Sequence, residues 1–196
     1  SGSGPGRLGL TRSRYTLSFR GRLELDLVVG DTPPADSQAV VVPQDVYLIL
    51  GEVSTIEETR EPLVGAWATL GRLKPKPRGS VLVSPGSGGA PVLLQAIVYD
   101  FEDTPHARSV HVFEALLTAF EEARRLKLAS LTLHPLGTAH QGVPAEEFAR
   151  LLLQVCFSAA ELGTSLKRVH LLLPSPEDLL RYEALLANQG RRVEPS

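Results

Sequence analysis

The residues through which this chain could do chemistry are five histidines, one cysteine and a loop bounded by glycines. The loop is Gly137-Thr138-Ala139-His140-Gln141-Gly142. It follows the apolar run Leu131 to Leu133 and the pair His134-Pro135, and it precedes Pro144-Ala145-Glu146-Glu147, the opening of an amphipathic stretch. A strand, a tight glycine loop and a helix N-terminus, in that order, bring backbone N–H groups to one point, which is the geometry that holds an anion. His140 lies inside the loop, where its ring can face a ligand. His134 and His170 each border an apolar run and read as imidazoles hydrogen-bonded at a strand end. Neither they nor His106 and His111 form an HxxxH or HExxH pair, so no metal site is expected.

Other chemistries lack their residues. Cys156 is the single cysteine, which excludes an internal disulfide and a cysteine-clustered zinc site. It sits in an apolar helical run and reads as a packing thiol. There is no Gly-x-Ser-x-Gly nucleophile motif, and spacing places no two carboxylates across a cleft. The stretch Pro85-Gly86-Ser87-Gly88-Gly89-Ala90-Pro91 lacks the Gly-Lys-Ser/Thr ending of a phosphate loop and the third glycine of a dinucleotide fingerprint. It reads as a turn between antiparallel strands.

The elements that must position the loop follow from periodicity. Tyr15, Leu17 and Phe19, then Leu23, Leu25 and Leu27, alternate with polar residues, which predicts a hairpin turning at Arg20-Gly21-Arg22. Ala39 to Val42 is apolar on both faces and predicts an interior strand. Val46 to Leu50 is of ambiguous type. Glu57 to Leu70 has helical spacing, with Leu63, Val64, Trp67 and Leu70 on one side and Pro62 near its start. Strands are predicted at Ser80 to Ser84 and Val92 to Tyr99. Ser109 is the expected N-cap of a helix running to Leu126. After the loop come a helix ending near Gly163, a buried strand over Val169 to Leu173, and a last helix begun by Ser175-Pro176-Glu177-Asp178. Six or seven strands and four helices, alternating in the C-terminal half, predict an α/β fold with a central mixed sheet and helices on both faces.

Composition sets the frame. The 196 residues suffice for one sizeable core. A formal net charge of -2 gives no reason to expect a nucleic acid or an anionic membrane as partner. No apolar run approaches a membrane span. Residues 1–14 read as a flexible segment or linker and 191–196 as a tail, around one domain over 15–190. The single cysteine suits a reducing, cytoplasm-like compartment, and the chain reads as a module of something larger.

The order of motifs resembles the macrodomain family, the ADP-ribose-binding modules, over nearly the whole span from Tyr15 to Gly190. Val29-Gly30-Asp31-Thr32 is similar to the family's Gly-Asp-Ile-Thr. Ala39-Val40-Val41-Val42-Pro43-Gln44-Asp45 stands where the family has a strand ending in Asn-Ala-Ala-Asn. Val81 to Gly86 with Val92 to Tyr99 resembles its central strands. The most specific part, Pro135 to Ala149, is similar to Pro-Ala-Ile-Ser-Thr-Gly-x-x-Gly-x-Pro-x-Glu-Glu-Ala-Ala. The resemblance implies a three-layer α/β/α sandwich. It further implies that Asp31, beside Thr32, accepts from an adenine amino group. The loop Gly137, Thr138, Ala139, His140, Gln141 and Gly142 would hold the diphosphate and distal ribose.

The departures bear on activity. Asp45 replaces the asparagine that active family hydrolases use on the distal ribose, and an ionised carboxylate only accepts hydrogen bonds. The first glycine-rich loop is missing, with Glu52-Val53-Ser54-Thr55-Ile56-Glu57-Glu58 in its place. No catalytic residue and no cofactor are expected. The leading expectation is a divergent module that binds ADP-ribose or a related nucleotide without turnover. The alternative is a vestigial pocket in a protein-interaction or scaffolding module whose partners are other domains. A hydrolase using Asp45 or His140 is the remaining reading.

Overall fold

The computed structural model describes residues 10–50 and 74–193. Seven strands form one mixed sheet: β1 (Thr11–Phe19), β2 (Leu23–Val29), β3 (Ala39–Asp45), β4 (Val81–Ser84), β5 (Val92–Tyr99), β6 (Ser130–Leu133) and β7 (Arg168–Leu173). Their order across the sheet is β1-β2-β7-β6-β3-β5-β4. The five central strands are parallel, and the edges β1 and β4 are antiparallel to β2 and β5. Three helices follow β5, β6 and β7: α1 (Ser109–Arg125), α2 (Ala145–Leu162) and α3 (Pro176–Val193). No helix among the described residues is long and apolar enough to cross a membrane.

Residue patterns explain the layers. β6 (SLTL) and β7 (RVHLLL) lie in the middle of the sheet with almost every residue buried, the polar Ser130, Thr132 and His170 among them. In α1 the buried positions Val112, Ala115, Leu116, Ala119, Phe120 and Ala123 recur at helical spacing, one face of the cylinder. That face meets β5, while α3 packs on β1, β2 and β7 and α2 touches both helices between them. Leu25, Leu27, Val169, Leu171, Leu131, Leu133, Leu94 and Phe148 join this core, each worth roughly 1.5–3 kcal/mol when fully buried.

The connections β5–α1–β6 and β6–α2–β7 both step through the sheet in one direction. Right-handed crossovers therefore place their helices on the same face. The connection from β2 to β3 steps the other way, across β7 and β6, and lies on the opposite face. It carries no helix. Instead Gly30 to Gln38 crosses as an irregular segment, with a turn closed by the Ser37 N–H on the Pro34 carbonyl (3.0 Å), and bonds polar side chains below it. Ser37 Oγ bonds Thr132 Oγ1 at 2.5 Å, Gln38 accepts from the N–H of Ala129 and Ser130, and Ser130 Oγ donates to the Asp36 carbonyl. The helix expected over 57–70 and the acidic stretch 52–58 fall outside the described residues.

Two local expectations are corrected. β1 begins at Thr11, inside the stretch read as loose, because it gains a full antiparallel partner in β2, with a register shift between Arg12 and Thr16. Ser109 is the first helical residue of α1 and not its cap. Arg108 takes the extended N-cap conformation, and no side chain caps the helix. The turn Gly86 to Ala90 between antiparallel β4 and β5, Gly163 beyond α2 and Ser175 at the start of α3 lie where sequence placed them.

Candidate functional site

Parallel strands align their carboxyl ends, and ligands of such sheets sit outside those ends. Here that edge carries Asp31 after β2, Asp45 on β3, Tyr99 on β5, the loop after β6 and Pro174 after β7.

The loop is a closed, specified turn. Val143 N–H donates to the Gly137 carbonyl (2.7 Å) and Gly142 N–H to the Ala139 carbonyl (3.0 Å). His140 and Gln141 between them adopt left-handed φ of 54° and 58°, a conformation that side chains enter at a cost. Gly142 is required by proximity, because a Cβ there would stand 2.0 Å from the Gly137 carbonyl oxygen. Gly137 has φ 74° and lies against Val112 of α1. Leu136, fully buried, pins the loop to the core. Pro144 then caps α2 with its carbonyl alone, and no side chain covers the helix's first N–H groups.

Two buried phenols hold this loop from either side. The Tyr99 hydroxyl accepts the Ala139 N–H at 2.9 Å. Burial raises its pKa, and the N–H groups of Ala139 and Gly137 partly offset that. Tyr182 of α3, pushed up to about 12 chiefly by burial, makes a hydrogen bond with the Thr138 side chain and packs its ring edge-on to Phe148. On the Tyr182 side a cleft of about 310 Å³ opens. Its walls include Thr138, Ala139, Pro144, Leu173, Asp178 and Arg181. Gly30 N–H bonds the Leu173 carbonyl at 3.1 Å, so the segment that continues into Asp31 and Thr32, both exposed, starts beside Leu173.

On the other side the edge is filled. Tyr99 is paired with Asp45 across β5 and β3, and its ring reaches past the end of β3 to the loop after β6. Phe101 stacks on it (centroids 5.8 Å apart, 6° between planes), and His140 meets both rings edge-on at 5.4 and 5.5 Å. His106 meets Phe101 in the same way at 5.4 Å. Asp45 is fully buried. Its Oδ1 accepts from Ile49 (2.6 Å) and Leu50 (3.0 Å), and its Oδ2 accepts from Tyr47 (3.0 Å), all backbone N–H groups. The carboxylate thus organises its own turn and does not face the cleft.

Of the expected residues, Thr138 and Ala139 line the cleft, whereas Asp31 and Thr32 are exposed on the neighbouring segment after β2 and are not part of its lining. Gly137 and Gly142 shape the loop, His140 faces the aromatic cluster, Gln141 is exposed at the tip, and Asp45 lies inside the protein. Sequence reasoning missed Tyr99, Phe101, Arg181 and Tyr182. The available signal was Tyr99 itself, a tyrosine ending the most apolar strand, whose hydroxyl must find a partner once buried.

His170 is a further finding. It is wholly buried in β7, with Nδ1 bonded to Asp26 of β2 and Nε2 3.1 Å from Asp36 of the crossover. Arg12 stands 3.6 Å from Asp26. Burial opposes charge on the ring, but the hydrogen bonds and charges of Asp26 and then Asp36 outweigh it, and its pKa is raised.

Compared with known proteins, the sequence matches no family model and no curated protein. Solved structures do match in shape. A macrodomain of Oceanobacillus iheyensis with ADP superposes with a TM-score of 0.70 at 18% identity, over 93% of this chain and 98% of that one. A Trypanosoma brucei macrodomain in complex with ADP-ribose gives 0.58 at 15% identity, over 82% of this chain and 68% of that one. The macro domain of ganglioside induced differentiation associated protein 2 gives 0.57 at 18% identity, over 82% of each chain. The fold is that of the macrodomains, in a sequence far diverged from theirs.

Proposed function

We propose that this chain of macrodomain fold is a module that binds ADP-ribose or a related nucleotide through the cleft between the loop after β6 and the start of α3, and that it does not turn its ligand over. The observation that carries the reading is the cleft itself. It is open and bordered by the uncapped N-terminus of α2, Thr138 and Arg181, and Asp31 is exposed on the neighbouring segment after β2. Donors and a cation at one end with an acceptor at the other suit a ligand that has phosphates at one end and an amino-bearing base at the other. Related folds in the solved structures above carry ADP or ADP-ribose.

The reading without turnover is supported by the placement of Asp45, one of the two residues that a hydrolase would have recruited. Asp45 has both oxygens committed to backbone N–H groups and reaches no solvent. A general base must come within hydrogen-bond reach of the water it activates. Calorimetric titration with ADP-ribose and ADP tests the binding. An Asp31→Ala variant is expected to weaken it about tenfold, the loss of one charge-assisted hydrogen bond. Unchanged affinity would place the base elsewhere.

One observation favours a second reading, an interaction module with a vestigial pocket. The loop donor that would meet a phosphate, the Ala139 N–H, is already taken by Tyr99. Under that reading no nucleotide gives heat or a thermal shift at millimolar concentration.

A further inference from the structure

We infer that the cleft takes a nucleotide ending in its own phosphates, a nucleoside mono- or diphosphate, and rejects one extended by a second ribose, with Tyr99, Phe101 and His140 as the residues that set the limit. The inference rests on the nucleotide reading above and narrows its ligand class.

The sheet's topology locates the limit. Chain connections leave β6 toward β7 and leave β3 in the opposite direction, so the crevice between these two strands is the switch point where ligands of open α/β sheets extend. In this chain that crevice is occupied from within. The Tyr99 side chain runs from β5 past the end of β3 and closes on Ala139. Phe101 lies flat against it, and His140, held in a left-handed conformation, seals the top against both rings. Beneath, both oxygens of Asp45 accept backbone N–H groups of its own turn.

This wall is firmly placed. The loop bearing Phe101 is closed by the Asp100 N–H on the His106 carbonyl (2.8 Å) and tied down by Asp103, which bonds both Arg78 and Arg108 at 2.9 Å. Its surface chemistry is wrong for a ribose phosphate. Phe101 presents an apolar ring face, 42% exposed, and the Asp100 and Glu102 carboxylates flank it, with Glu102 3.4 Å from the Tyr47 hydroxyl. A ribose set against this ring face gains none of the paired polar partners that a site built for vicinal hydroxyls supplies. A second sugar sent toward the β3–β5 side from phosphates placed beside Arg181 thus meets the Tyr99, Phe101 and His140 rings.

The test compares ADP, AMP and ADP-ribose by calorimetry on the full chain, with a Phe101→Ala/His140→Ala variant whose folding is followed by thermal unfolding. The wild type is expected to bind ADP at least about tenfold more tightly than ADP-ribose, and the variant to narrow that ratio to about threefold or less. ADP-ribose binding as tightly as ADP to the wild type overturns the inference and leaves the nucleotide reading standing. A ratio undiminished in the folded variant also overturns it, because the wall would not be its cause. If neither ADP nor AMP nor ADP-ribose binds at millimolar concentration, the nucleotide reading itself fails, and the narrower claim goes with it.

Discussion

A single phenol decides how the candidate loop is used. In an anion-binding loop the backbone N–H groups wait for charge from outside, whereas here the Tyr99 hydroxyl meets the Ala139 N–H as a neutral partner. The pair is stable on its own because the phenol is buried and pinned between Phe101 and the loop. Tyr99→Phe keeps the ring and removes the acceptor. It is expected to lower stability by about 1 kcal/mol, the net value of one such hydrogen bond, as read from urea unfolding. A loss much larger than that would mean the loop as a whole depends on the bond. Asp45 makes the same point about residue type. From sequence an aspartate at a strand's end is a candidate for the cleft. Nothing in its neighbours shows that three N–H groups of the following turn will converge on it.

Among elements, the helix-free crossover from Gly30 to Gln38 is fastened by His170, which bonds Asp26 on one strand and Asp36 on the crossover. The raised pKa of His170 fixes the sign of its contribution. That contribution is complete below the ring's ordinary 6.5 and is lost as pH climbs through the raised native value. Asp36 works the other way. Its pKa is lowered by His170 in spite of the burial that opposes this, so its share holds above 3.8 and fades in more acid solution. His170→Asn should therefore destabilise the protein more at pH 6 than at pH 8 in urea titrations, with an excess on the order of 1 kcal/mol. An equal loss at both pH values would show that His170 serves only as packing.

Elements were also the most legible level in the sequence. Period-two alternation located β1 and β2, helical spacing located α1 and α2, and Ser175-Pro176 located the start of α3. The Pro135 to Ala149 stretch identified the loop. The aromatic wall and the His170 bridge were not legible, because each joins residues far apart in the chain through side-chain packing that no local pattern encodes. His170 and Asp26 are 144 positions apart.

At the scale of the whole molecule, the core can be reported by its one thiol. Cys156 is fully buried, and burial pushes its pKa far up, so the reactive thiolate is suppressed until the core opens. Labelling by an aromatic disulfide reagent is expected to be negligible in native buffer and rapid in denaturing urea. Its rate should then track global opening and not local fraying. Fast labelling of the native protein would mean that α2 detaches on its own. The order of the sheet carries a different consequence, about time. β7 lies between β2 and β6 yet is the last strand in the chain, so Gly30 and Leu173 meet only when nearly everything between them has been made. Until then no strand pairing among the described residues joins the first hairpin to the sheet around β3, and contacts of such long sequence separation form slowly. A chain stopped before Arg168 would therefore expose two raw strand edges, β2 and β6, which makes stalled synthesis of this protein an aggregation hazard.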